Sequence, residues 1–136
     1  MTFVFDASVT MSWCFEDEAT DAADAALDRL GNDQAAVPAI WPLEVANVLL
    51  VAERRGRLSE AQASRFLELL AELPIEVDGS ATDPARVISA GRRHELSSYD
   101  ASYLILAERL GVPLATLDRR LADAAMRAGV PLLTAP

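Results

Sequence analysis

The chain has 136 residues, 51% of them hydrophobic, and a net charge of −9, which gives length enough for one domain, 1–136, with a real core and excludes a disordered tail. No apolar run approaches the roughly 18 residues of a membrane span, no basic-then-apolar leader opens the chain, and the lone Cys14 rules out an internal disulfide, so a cytoplasmic protein is expected. All 12 basic residues are arginine, and chemistry that needs a lysine is excluded with them.

In chain order, Phe3, Val4 and Phe5 predict a short strand buried on both sides. It ends on a carboxylate, Asp6, followed by the small Ala7 and Ser8 before apolar residues resume at Val9. Residues 19–30 place Ala19, Ala22, Ala23, Ala26, Leu27 and Leu30 on one helical stripe, which Gly31 and Asn32 end. AAV at 35–37 predicts a strand, and Pro38 leads into WPLEVANVLLVAERRGR. That helix is apolar nearly all round, so it is buried on several sides or completed by a partner. A second amphipathic helix at about 59–73 stacks Ala63, Phe66, Leu67, Leu70 and Leu73. IEV at 75–77 reads as a strand, TDPARVISAGRRHEL as a helix with Pro84 in its first turn, and a further helix runs from about Ser98 to Leu110.

The end of the chain carries an internal echo. RLGVPLAT (109–116) and RAGVPLLT (127–134) share the frame Arg-x-Gly-Val-Pro-Leu-x-Thr. Each predicts a helix end, a glycine just past it, a proline that stops the helix, and then a strand. The intervening DRRLADAAMRA is a helix with Leu121, Ala124, Ala125 and Ala128 on one face. Short apolar strands separated by helices predict an α/β sandwich around a central parallel sheet of about five short strands.

Four acids fall in equivalent places along this pattern. Asp6 follows the first strand, Glu44 and Asp100 fall in first turns of helices, and Asp118 comes directly after the LAT strand. Taken singly each is an ordinary first-turn or capping acid, Asp100 with Ser97 and Asp118 as an N-cap. Together they fall on the edge where open parallel sheets bind ligands. Four carboxylates within roughly 6 Å of one another repel by about 3 kcal/mol per pair at an effective dielectric of 20, which a divalent cation relieves. Oxygen donors with room for water suit Mg²⁺ or Mn²⁺ and not zinc. Asp6 is therefore predicted to be a metal ligand, with Ala7 and Ser8 leaving space for hydrated metal and substrate.

FDASV, WPLEVANVL, LSSYDASYLILA and PLATLDRRLADAA resemble the four acidic motifs of the PIN domain in the form found in VapC-type toxins of bacterial toxin–antitoxin pairs, and the resemblance runs from Phe3 to the closing PLLTA. It implies a PIN-like α/β/α sandwich and an Mg²⁺- or Mn²⁺-dependent endoribonuclease, usually a homodimer, inhibited by a cognate VapB-type antitoxin. By position it makes Asp6, Glu44, Asp100 and Asp118 the acidic quartet, catalytic and metal-binding. It matches Asn47 to an asparagine one turn after the glutamate and Thr116 to a hydroxyl residue two before the last acid. The expected chemistry is attack on an RNA phosphodiester by a water that the metal activates. Ser8 and Thr116 either fix water or phosphate or cap local backbone.

A net charge of −9 speaks against nucleic acid, but substrate contact needs only local basic surface. Arg92 and Arg93, before the Asp100 helix, and Arg119 and Arg120, beside Asp118, are the candidate RNA contacts, with Arg54, Arg55 and Arg57 a further cluster. Helix C-termini favour arginine for their own reasons. His94 is expected to be a solvated helix-end residue and Asp123 a polar-face residue. Trp13, Phe15 and Trp41, flanking the pocket, and the apolar 41–52 helix predict surface for a homodimer and an antitoxin groove. Receiver-like, haloacid-dehalogenase-like and P-loop readings fail for want of a lysine. A non-catalytic PIN-like module binding metal or RNA remains the alternative.

Overall fold

The apolar triplet at the start of the chain becomes the centre of the molecule. In a computed structural model, which describes residues 2–133, strand β1 (Thr2–Phe5) has Phe3, Val4 and Phe5 fully buried. Burying side chains of that size contributes about 1.5–3 kcal/mol each. Met1 and residues 134–136, which include the last threonine of the echo and the end of PLLTA, lie outside the described residues. After β1 come α1 (Ala7–Cys14), a 3₁₀ turn (Glu16–Glu18), α2 (Asp21–Arg29), β2 (Gln34–Val37), α3 (Trp41–Arg54), α4 (Glu60–Ala71) and β3 (Ile75–Val77). The chain continues through α5 (Pro84–His94), α6 (Ser98–Leu110), β4 (Leu114–Ala115) and α7 (Arg119–Arg127). No helix among the described residues is long and apolar enough to cross a membrane.

The strands form one parallel sheet in the order β3-β2-β1-β4. Val4 sits between Ala36 on one side and Leu114 on the other. The chain leaves β1 toward β2 and later returns to its opposite edge at β4, so the strand order reverses at β1. In open α/β sheets such a reversal opens a crevice at the carboxyl ends of the strands. The predicted fifth strand is reduced to a single parallel bridge, Leu114 to Leu132. The two echoed segments play the same part. Gly111 and Gly129 both take positive φ, 66° and 76°, and the proline two residues later offers its carbonyl to the neighbouring strand. Val4 N donates to Pro113 O and Leu114 N to Pro131 O, both at 2.9 Å.

Two departures from the sequence expectations have local causes. α1 was not foreseen as a helix. Four consecutive residues in it, Val9, Thr10, Met11 and Ser12, are all buried, so no polar face marks a helical period. His94, expected in solvent, is 8% exposed. Glu95 caps α5 in the left-handed region (φ 55°), and the chain turns there so that α5 and α6 pack together. α3 buries only Trp41, Val45, Leu49 and Ala52, leaving Leu43 and Leu50 exposed, so it is half-buried rather than enclosed.

The aromatic residues predicted to flank a pocket are mostly core. Trp13 and Trp41 lie 5.0 and 5.8 Å from the Phe5 ring. Trp13 Nε1 donates to Ala23 O at 2.8 Å and Trp41 Nε1 to Thr10 Oγ1 at 2.9 Å. Phe15 is buried beneath Arg57, whose guanidinium lies 4.2 Å from the ring centre.

Candidate active site

Asp6 ends β1 and caps α1. Its backbone is extended, and Oδ1 accepts from Val9 N at 3.2 Å, as an N-cap does. The same oxygen accepts the Ser8 hydroxyl at 2.5 Å, and Oδ2 accepts the Thr116 hydroxyl at 2.5 Å. The two hydroxyls thus spend their protons on one carboxylate, while their oxygens accept amides from the far loop. Leu117 N donates to Ser8 Oγ and Asp118 N to Thr116 Oγ1, both at 3.0 Å. This network ties the end of β1 to the loop after β4. Asp6 is 3% exposed, and burial pushes its carboxyl above the ordinary range. The bonds from Ser8, Thr116 and Val9 pull the other way, and the charge of Asp118 adds to the rise.

The other three acids stand on neighbouring elements. Asp118 caps α7, accepting Leu121 N at 3.0 Å. Asp100 lies in the first turn of α6, where its amide donates to the capping Ser97 Oγ at 3.1 Å. Burial raises its carboxyl first, then the charges of Asp118 and Asp6. Glu44, in the first turn of α3, is half-buried. Its Oε1 accepts the Tyr103 hydroxyl at 2.6 Å. Tyr103 is 1% exposed, and its phenol is pushed upward by burial, by the bond to Glu44, and by the charges of Glu44, Asp6 and Asp100. Asp6, Asp100 and Asp118 therefore feel one another's charge at the carboxyl edge of the sheet, and Glu44 is tied to them through Tyr103.

Tyr103 was not singled out from the sequence. It follows Asp100 by three residues, one helical turn, and that spacing is the signal that could have found it. Asn47 is exposed on α3, one turn beyond Glu44. Arg92, Arg93, Arg119 and Arg120 are all exposed. Arg57 is committed elsewhere, with two nitrogen–oxygen contacts to Asp17 at 3.1 and 3.2 Å.

The donors at this edge are oxygens. Among the described residues no three acids, cysteines or histidines are gathered tightly enough to hold a cation by themselves. Mg²⁺ commonly keeps several waters and needs only one or two carboxylates. The set fits a hydrated hard cation and does not fit a zinc site, which wants several nitrogen or sulfur ligands at close range.

The family described as PIN domain matches residues 3–126. Ribonuclease VapC3 of Pyrobaculum aerophilum is 34% identical over 125 residues, covering 90% of this chain and 94% of its own length. Ribonuclease VapC3 of Mycobacterium tuberculosis is 35% identical over 105 residues, covering 77% and 75%. Among solved structures, the crystal structure of PAE2754 from Pyrobaculum aerophilum is similar with a TM-score of 0.68 at 27% identity, over 91% of this chain and 87% of that one.

Proposed function

The chain belongs to the PIN-domain family, and on that footing we propose that it is a VapC-type toxin, an endoribonuclease that hydrolyses RNA phosphodiester bonds with Mg²⁺ or Mn²⁺. The observation that carries the reading is the treatment of Asp6. A carboxylate 3% exposed is held by two side-chain hydroxyls and an amide, with Asp118 and Asp100 in the same field. Capping α1 needs only the bond from Val9; burying the acid beside other acids costs stability, and carboxylates held at such a cost cluster at functional sites.

Asp6, Asp100 and Asp118 would hold the cation, directly or through its water, with Glu44 beside them. When bound, Mg²⁺ or Mn²⁺ lowers the pKa of a coordinated water and stabilises negative charge on the phosphate. The rest is done by the chain. Ser8 and Thr116 fix both oxygens of Asp6, so the carboxylate presents one orientation. Tyr103 fixes Oε1 of Glu44 and leaves Oε2 to orient a water or accept its proton. On this reading Asn47 and the exposed Arg92, Arg93, Arg119 and Arg120 contact the RNA.

The same reading includes a homodimer and inhibition by a cognate VapB-type antitoxin. Leu43 and Leu50 on α3 and Leu67 and Leu69 on α4 are 47–67% exposed, apolar surface that supports partners of this kind. A strictly monomeric species in light scattering at micromolar concentration removes the dimer.

The test is cleavage of a pool of structured cellular RNAs with Mg²⁺, with Mn²⁺ and with EDTA, beside an identically prepared Asp6→Asn variant. Metal-dependent cuts absent from the variant are expected. If both proteins stay silent on natural RNAs and freed of any antitoxin, while metal still raises the melting temperature, the chain is a non-catalytic binding module.

A further inference from the structure

Arg86, Ser89 and Arg93 follow one another on α5 at spacings of three and four, so they share one side of the helix. They line a cleft of about 490 Å³ together with His94, Glu108 of α6 and Arg127 at the end of α7. Arg86, Arg93 and Arg127 are exposed, and none is paired with a carboxylate among the described residues. That is unusual in a chain of net charge −9. Arg29, Arg57 and Arg109 have each found an acid, whereas here three guanidinium groups meet around one concavity with Glu108 as its acid.

His94 forms part of the same wall. The residue is 8% exposed, its Nδ1 is fully buried, and neither ring nitrogen has a hydrogen-bond partner among the described residues.

From this arrangement we infer that the α5–α6–α7 cleft is a second phosphate-binding site, apart from the carboxylates, that grips the backbone of the RNA substrate. The inference rests on the ribonuclease reading. The ligand is an RNA strand and not a single small anion, because the helical rise sets Arg86 and Arg93 about 10 Å apart, which suits neighbouring phosphates of one strand. Glu108 lies about 12 Å along α6 from Asp100, so a strand engaged at the acids reaches the cleft within a few nucleotides. The cleft also answers the charge objection. The acidic surface repels RNA in general, and this basic wall decides where a strand lies.

The test combines Arg86→Gln, Arg93→Gln and Arg127→Gln in the full chain. Binding of a labelled single-stranded RNA is followed by fluorescence anisotropy in EDTA across a salt series. Each phosphate contact removed flattens the slope of log affinity against log salt by about 0.7, so the triple variant is expected to lose about 2 from that slope. The single Arg86→Gln and Arg127→Gln variants are expected to lose about 0.7 each. A control with the same charge change outside the cleft, Arg29→Gln, Arg65→Gln and Arg109→Gln, should keep the wild-type slope. An unchanged slope in the first triple, or an equal loss in the control, overturns the cleft and leaves the ribonuclease reading standing on metal-dependent cleavage by the wild type. A wild type that neither binds nor cuts RNA removes both.

Discussion

Tyr103→Phe removes one oxygen and leaves the ring where it packs. The residue is 1% exposed, and its hydroxyl donates to Glu44 Oε1 at 2.6 Å. Burial and that acceptor both keep the phenol protonated at any working pH. A hydrogen bond to a charged acceptor contributes about 1.5–3 kcal/mol. Glu44 is only half-buried, so water takes over part of the lost bond, and the expected cost is about 1–2 kcal/mol. For a domain of this size that lowers Tm by about 3–6 °C. Freed of its anchor, Glu44 samples other rotamers, and a loss of about 1.4 kcal/mol in the transition state slows RNA cleavage about tenfold. The assay is a double-mutant cycle with Glu44→Ala, by thermal melts in EDTA and cleavage rates in Mg²⁺. A coupling of about 1 kcal/mol is expected in stability. If Tyr103→Phe costs the same whether or not Glu44 is present, the hydroxyl does not act through Glu44, and the positioning role is refuted.

Three further outcomes follow from the same geometry. Burial raises the Asp6 carboxyl above its ordinary 3.8, so the native state holds that proton more tightly than the unfolded chain, and stability is lost as pH rises from about 3.8 through the raised native value. Asp6→Asn keeps the cap and removes the charge. In EDTA it should melt above wild type at pH 7 and level with it below about pH 4, while cutting no RNA; a lower melting temperature at pH 7 would contradict the burial cost. Thr116→Val deletes a donor that holds the Asp6 carboxyl down, so the acid limb of the pH–rate profile should move to higher pH, with Thr116→Ser restoring it; coincident profiles would separate Thr116 from Asp6. Trp41→Phe loses the bond to the fully buried Thr10 and part of the packing on Phe5, and urea unfolding should show a loss of about 1–3 kcal/mol.

The strands and most helices could be read because their periods are clean. β1 is three consecutive buried residues, and α7 keeps Leu121, Ala124 and Ala125 on one face. The positions of the four acids, after strands and in first turns, were legible. Their support was not. Nothing near Thr116 in the sequence says that its hydroxyl reaches Asp6, and nothing near Tyr103 names Glu44, because those pairings depend on which strands become neighbours. α1 escaped because burial on all sides erases the period. His94 misled for a related reason: RRH at a helix end looks solvated until the left-handed turn at Glu95 folds α5 onto α6.

The bond from Thr116 to Asp6 joins residues 110 positions apart, and β1 waits on Leu114 and Ala115 for one of its two neighbours. Synthesis runs from the N-terminus, so the first strand and its acid leave the ribosome long before the segment that completes them. Pairings this distant also fold slowly, since the loop must close before the contact repays it. A nascent chain therefore carries all the material of β1, β2 and β3 while the carboxylate edge is still unbuilt. The carboxylate edge is therefore assembled last, when β4 docks beside β1 and carries Thr116 to Asp6, however early Asp6 itself was made.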